Sequence, residues 1–181
     1  MDIMKKFGLF LIAAIAVTAF TSCNDDDGEP KVRYATTNDG IENGYLQGAN
    51  LHFYGTSTVT DAKGETFTDP EAWFEFAGGP ESFSLYMHKT RFAANMPGVE
   101  MRLQTVTYTP KGDKSLNFVR EEIIPSALKE NNEGGGSSYR PVERYKITNL
   151  TGAIDGVDCR VSFTCAGVFQ VIYEGRLIIK E

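Results

Sequence analysis

The chain has 181 residues, of which 41% are hydrophobic and 23% charged, and its 18 basic against 24 acidic side chains give a net charge of −6. That acidic balance, with no basic stripe along any strand pattern, argues against nucleic acid or an anionic lipid surface as partner. Three cysteines and two histidines leave little material for a disulfide framework, a histidine-rich zinc site or a serine triad.

At the amino terminus Lys5 and Lys6 precede an apolar run over residues 7–20, long enough for a signal-peptide core and short of the roughly 20 residues of a spanning helix. Residues 1–22 therefore read as a targeting segment outside the fold. The run closes on Phe20-Thr21-Ser22-Cys23, which resembles the lipobox of bacterial lipoproteins, with Phe20 where that pattern usually has leucine. The resemblance implies cleavage before Cys23 and acylation of it by a thioether-linked diacylglycerol and an amide-linked chain. One acyl chain anchors only marginally, whereas two or more hold stably. Directly afterwards, Asn24-Asp25-Asp26-Asp27 resembles the export tag by which Bacteroidetes-type bacteria send lipoproteins to the outer face of the outer membrane. The implied location is the outer membrane, lipid-anchored and facing the exterior, with its periplasmic face as the alternative. Loss of residues 1–22 removes Lys5, Lys6 and Asp2 and leaves 159 residues with 16 basic against 23 acidic side chains, enough for one core. Residues 23–48, rich in Asp, Asn, Gly and Thr, are expected to form a mobile acidic tether, and residues 49–181 one domain.

The fold is expected to begin near Leu51. Leu51, Phe53, Gly55, Ser57 and Val59 alternate with His52, Tyr54, Thr56, Thr58 and Thr60, a period of two that sends one set to each face of a strand. The strand ends at the turn Asp61-Ala62-Lys63-Gly64. A second strand over 72–77 turns Phe74 and Phe76 one way and Trp73 and Glu75 the other. Gly78-Gly79-Pro80 breaks it, since glycine permits the turn and proline removes a ladder donor. In a third strand Phe83, Leu85 and Met87 alternate with Ser84, Tyr86 and His88. After a loop over 92–98, Val99, Met101, Leu103 and Thr105 define the inner row of a fourth strand running through Tyr108. Leu116 and Phe118 mark a fifth before the charges of Arg120, Glu121 and Glu122. Residues 125–129 are expected as a short helical turn and 129–138, with three consecutive glycines, as an exposed loop.

The clearest pattern lies at 145–179. Val157, Cys159, Val161, Phe163 and Cys165 alternate with Asp158, Arg160, Ser162 and Thr164, a half-buried antiparallel strand. Asp155-Gly156 before it can supply the two positive φ angles of a type I′ hairpin, with Ile154 and Val157 flanking the turn. Gly152 and Leu150 then also point inward. Further back the apolar parity changes to Ile147 and Tyr145, which predicts one extra residue, a β-bulge near Asn149. Forward, Phe169, Val171, Tyr173, Leu177 and Ile179 form the inner row of the last strand. Cys159 and Cys165 share one strand face roughly 20 Å apart, beyond disulfide reach, and are read as buried thiols.

Eight strands with turn residues between them and no long helix predict an all-β fold, a closed antiparallel barrel with a β-sandwich as alternative. Closure is preferred because it removes both sheet edges. The segments Tyr145-Lys146-Ile147-Thr148-Asn149-Leu150-Thr151-Gly152, Val171-Ile172-Tyr173-Glu174-Gly175 and Phe53-Tyr54-Gly55-Thr56-Ser57-Thr58-Val59, with the Asp155-Gly156 hairpin, resemble the calycin-like, or lipocalin-like, β-barrel domain of Bacteroidetes-type lipoproteins. The likeness covers about residues 48–181 and implies an eight-stranded up-and-down barrel. The Gly-x-Trp of true lipocalins is missing, since Gly55 is followed by Thr56 and Ser57, so their ligand site does not carry over.

The residues expected to line the barrel interior are Phe53, Phe74, Phe76, Phe83, Leu85, Met87, Met101, Leu103, Phe163, Phe169 and Tyr173. They would either surround a small apolar ligand or fill the lumen themselves. In the second case the protein is an accessory module docking on a surface protein or glycan. His52 and His88 lie on the polar parity of their strands and are expected to be solvated. Glu121 with Glu122, or Asp69 with Glu71, are carboxylate pairs of the kind a glycosidase needs, but such pairs must face each other across a cleft and charged strand faces are ordinarily wet. Residues 134–136 lack the Lys-Ser/Thr of a phosphate loop. Trp73, Tyr54 and Tyr86 either form an exposed aromatic platform or pack beneath another segment. The expectation is a binding protein and not an enzyme, with no metal or cofactor.

Overall fold

A computed structural model describes residues 32–130 and 135–180. The targeting segment, Cys23 and the acidic Asp25, Asp26 and Asp27 lie outside the described residues. The strands in chain order are β1 (Arg33–Tyr34), β2 (Ile41–Glu42), β3 (Tyr45–Leu46), β4 (Asn50–Thr60), β5 (Thr66–Asp69), β6 (Trp73–Gly78), β7 (Ser82–Thr90), β8 (Val99–Thr107), β9 (Thr109–Gly112), β10 (Ser115–Ile123), β11 (Ser126–Glu130), β12 (Ser137–Pro141), β13 (Ile147–Asp155), β14 (Asp158–Cys165) and β15 (Phe169–Ile179), with one turn of 3-10 helix at Glu143–Tyr145. They form an all-β structure around one strongly curled antiparallel sheet, a half-barrel, ordered β12-β11-β8-β7-β6-β4-β15-β14-β13-β10-β9. β1 is added to β15 and β5 to β4, while β2 and β3 make a separate hairpin.

The curl has local causes. Lys89, Thr105 and Asn149 take φ angles of 52°, 55° and 54°, and each sits at a register shift where its strand advances three residues while its partner advances two. An extra residue of this kind bends the strand and increases its twist. The bulge at Asn149 is the one expected from the parity change. The one at Thr105 corrects the expected inner row of β8, because after Leu103 the next buried side chain is Val106 and Thr105 is exposed.

Two long strand paths are each interrupted once. β9 continues β8 beyond Tyr108, and β11 continues β10 beyond Pro125. The pairs Asn117↔Thr109 and Ser126↔Arg102 join these two paths at either end. Between those pairs β8 and β10 approach within 8 Å, Cα to Cα, without a ladder among the described residues.

Inside the curl, Phe53, Phe74, Phe76, Leu85, Met87, Met101, Leu103 and Tyr173 are fully buried, Phe83 and Phe163 nearly so, and Phe169 partly. The rings close on one another. Phe74 stacks on Tyr173 with centroids 3.8 Å apart, and Phe76 meets Phe53, Phe83 and Phe118 at 5.5, 5.0 and 5.8 Å. The Tyr173 hydroxyl donates to the Phe53 carbonyl at 2.6 Å.

Both ends of this core are covered. At one end the segment expected as a tether is folded: Ala35, Ile41 and Leu46 are buried, and the Ala35 N–H donates to the Leu177 carbonyl at 2.9 Å. Asn38, also buried, donates from Nδ2 to the Gly156 carbonyl at 2.8 Å, and the Tyr108 hydroxyl accepts from Leu46 N–H and donates to the Gly79 carbonyl. The part of the expected tether that is described, residues 32–48, is thus folded onto the core, because Ile41 and Leu46 find apolar surface that their polar neighbours had hidden. At the other end Phe92 packs against Tyr145 and Phe169 at 5.9 and 5.8 Å.

Other details differ from expectation. Residues 126–130 form β11, where a helical turn was expected, and pair with β12 from Leu128↔Tyr139 to Glu130↔Ser137, so the flanks of the glycine-rich loop are strands. The β13–β14 turn places Gly156 and Val157 between the paired Asp155 and Asp158. Gly156 alone has a positive φ there, 58°, as in a type II′ turn with glycine first. Tyr145 lies in the 3-10 turn that precedes β13, and Ile179, the last residue of β15, is exposed.

Candidate functional site

The alternation that sends Phe74 and Phe76 inward sends Trp73 and Glu75 to the outer face, with His52 and Tyr54 beside them on β4 and Tyr86 and His88 on β7. Register lines these up across the sheet. Tyr54, Trp73 and His88 are cross-strand neighbours, as are His52, Glu75, Tyr86 and Arg102. Trp73 stacks on His88 with centroids 3.7 Å apart and planes 11° apart, and on Tyr54 at 5.4 Å and 21°. Because the rings lie face to face they turn edges outward, and no flat aromatic platform results. They pack against one another and against His88, whereas the second expectation was packing beneath another segment.

The polar groups of the cluster are tightly coupled. Asn50 Nδ2 donates to Glu75 Oε1 at 2.7 Å, and the same carboxylate lies 3.6 Å from His52 Nε2 and 3.3 Å from His88 Nε2. His88 Nδ1 is 2.5 Å from Glu100 Oε2, and Glu100 Oε1 accepts from Lys89 N–H at 2.9 Å. A neutral imidazole has one donor and one acceptor nitrogen. With carboxylate oxygens facing both His88 nitrogens, both contacts are hydrogen bonds only if the imidazole carries two protons or one carboxyl is protonated.

The expectation that both histidines are solvated is corrected. His52 is 7% exposed, and the His88 side chain is largely covered. Strand parity places a side chain on a face without saying what covers that face, and here Trp73 lies 5.3 Å from the His52 ring. Burial pushes the His52 pKa down, against the pull of Glu75, and His52 Nε2 has no hydrogen-bond partner.

Arg102 extends the cluster, its guanidinium 4.7 Å from the Tyr139 ring and 5.9 Å from that of Tyr86. Tyr139 and Tyr86 approach to 5.7 Å, although β8 and β11 stand between their strands and successive strands are about 4.8 Å apart. The β11–β12 hairpin therefore leans over the outer face. Burial raises the pKa of the Tyr139 hydroxyl. Beside the hairpin runs a groove of about 430 Å³ lined by Glu100, Leu128, Lys129, Arg144 and Tyr145 among others. Glu100, Arg102 and Tyr139 are not singled out by the sequence; strict alternation on β8 is the only signal for Glu100 and Arg102, and the strand carrying Tyr139 shares only residues 137 and 138 with the loop expected over 129–138.

The remaining candidates are placed as follows. Asp69 is buried and takes two hydrogen bonds from Arg91, at 2.6 and 3.1 Å. Burial opposes its charge, yet these bonds hold its pKa below the ordinary carboxylate value, so it is an ion-pair member and does not face Glu71 across a cleft. Glu122 pairs with Lys146 at 3.1 Å on the surface. Cys159 and Cys165 are free and buried, and burial raises both thiol pKa values, that of Cys165 to about 12. Among the described residues no three His, Cys, Asp or Glu side chains are arranged to hold a metal ion, and no helix is long and apolar enough to cross a membrane. No family model, curated protein or solved structure matches the chain.

Proposed function

We propose that this chain is a lipoprotein acylated at Cys23 and held at the outer membrane, and that its folded part is an eight-stranded calycin-like barrel with a filled interior. It binds a surface partner through its outside and catalyses no reaction. The barrel reading is supported by counting β5 with β6, β8 with β9 and β10 with β11 as single interrupted strands. Eight consecutive strands then each pair with the next, and β15 pairs with β4 along Gln170↔Thr60 to Leu177↔Phe53.

The observation that carries the functional reading is the interior itself. Phe74 on Tyr173, and Phe76 among Phe53, Phe83 and Phe118, occupy the space a small apolar ligand would need, with the ends covered by Leu46 and Phe92. An apolar ligand carried inside requires a cavity on the order of 300 Å³ or more. The packing therefore favours the outer surface, where the leaning hairpin, its groove and the imidazole–carboxylate cluster lie. The stacked rings offer no sugar-sized flat face, which favours a protein over a glycan.

Calorimetric titration of the purified chain with long-chain fatty acids and steroids is expected to show no saturable uptake. Stoichiometric binding at micromolar ligand would overturn the filled-interior reading. The intact mass of protein extracted from its native membrane is expected to carry acyl chains at Cys23, and Cys23→Ala is expected to release it into the aqueous fraction.

A further inference from the structure

We infer that the end of the domain carrying β1 and the last residues of β15 lies against the bilayer that holds the Cys23 acyl chains, with Val32, Tyr34 and Ile179 entering the boundary between headgroups and hydrocarbon. The inference rests on the lipoprotein reading above and adds an orientation to it.

Three observations converge. The first is covalent reach. The described residues begin at Val32, nine residues after Cys23, and at no more than about 3.6 Å per residue the anchor lies within about 32 Å of Val32. A mobile tether ending at residue 48 would have allowed about 90 Å by the same rule. The difference comes from the Ala35 bond to Leu177 and the burial of Ala35, Ile41 and Leu46.

The second is where apolar surface remains uncovered. Val32 is 43% exposed, Tyr34 50% and Ile179 42%. The pairs Arg33↔Ile179 and Tyr34↔Ile178 set them at one end of β15, Val32 and Tyr34 on one face of the ladder and Ile179 on the other, the end at which the chain leads toward Cys23. The third is the company they keep. Lys180 follows Ile179 directly, and residues 32–38 contain no acidic side chain in a chain that is acidic overall. Tyrosine, with an apolar ring and a polar hydroxyl, suits the interface, and long basic side chains reach from it back to water.

The test uses the full chain with a label at each end of the folded domain. Tyr34→Cys and Leu128→Cys, each carrying an environment-sensitive fluorophore, are reconstituted as acylated protein in phosphatidylcholine vesicles with and without spin-labelled lipid. Cys159 and Cys165 are buried, so labelling falls on the introduced thiol, and Val32→Cys serves as a second position should Tyr34→Cys disturb β1. The label at 34 or 32 is expected to shift to shorter wavelength and to be quenched by the spin-labelled lipid, while the label at 128 stays aqueous. Acylated, vesicle-bound protein in which all labels remain aqueous would overturn the orientation and leave the lipoprotein reading intact. Intact mass without acyl chains at Cys23 would overturn both.

Discussion

Gly152 points inward beneath the Phe118 ring, where the methyl group of an alanine would overlap the ring carbons. Gly152→Ala is therefore expected to destabilise the protein by about 1–3 kcal/mol through overpacking, measured by urea unfolding, with Phe118→Leu in the same chain recovering part of the loss. His52 supports a second expectation at this scale. Its folded-state pKa is lowered from the ordinary 6.5, so below that pH the unfolded chain takes up a proton that the folded chain resists. The stability it contributes is present above 6.5 and is lost as pH falls through the window beneath it. Unfolding free energies between about pH 7 and pH 5 are expected to decline with acid, and less steeply in His52→Gln; an unchanged slope would show that His52 is not the group involved. The tie between Asp69 and Arg91 acts lower, below the ordinary carboxylate range, so the two effects separate along the pH axis.

At the level of elements the bulges decide how the sheet curls. Asn149 holds φ 54° without glycine, a conformation that costs other residues roughly 1–2 kcal/mol. Asn149→Val is expected to lower stability by about that amount and Asn149→Gly by much less, read from melting temperatures. This bulge was legible because the apolar parity visibly jumps from Leu150 to Ile147. The bulge at Thr105 has the same signature, Leu103 followed by Val106, but a threonine fits an inner row as well as an outer one and masked the jump. That at Lys89 left no trace, since the next inward residue is Thr90, a fully buried polar side chain. β11 and β12 were missed for a related reason. Their alternating polar and charged residues form no apolar row, and their strand character comes from pairing with each other and with Met101 and Arg102.

For the molecule as a whole, the segment over 32–48 separates two pictures. A mobile tether makes Leu46 irrelevant to stability, whereas a cap over the end of the core makes it part of one cooperative unit. Leu46→Ala is expected to cost about 2–5 kcal/mol, the usual range for a buried leucine, and to lower a single calorimetric transition without splitting it. An unaffected transition would return the segment to the tether. The cap and the Phe92 cluster opposite it cover the two ends of the core inside the curled sheet, and the orientation proposed at the membrane rests on the cap's position.

The amino-acid sequence by itself determined which side chains share a strand face, and hence the all-β architecture and nearly all of the inner rows, because the two-residue period of a strand is a property of the local backbone. The order of the strands, the covering of His52, the meeting of His88 with Glu75 and Glu100, and the fold of Tyr139 over Tyr86 were decided only in three dimensions. Each depends on the register of strands distant in sequence. The filling of the interior was decided there too, since an inward row of aromatic residues is compatible with a cavity or a packed core until the rings are placed against one another.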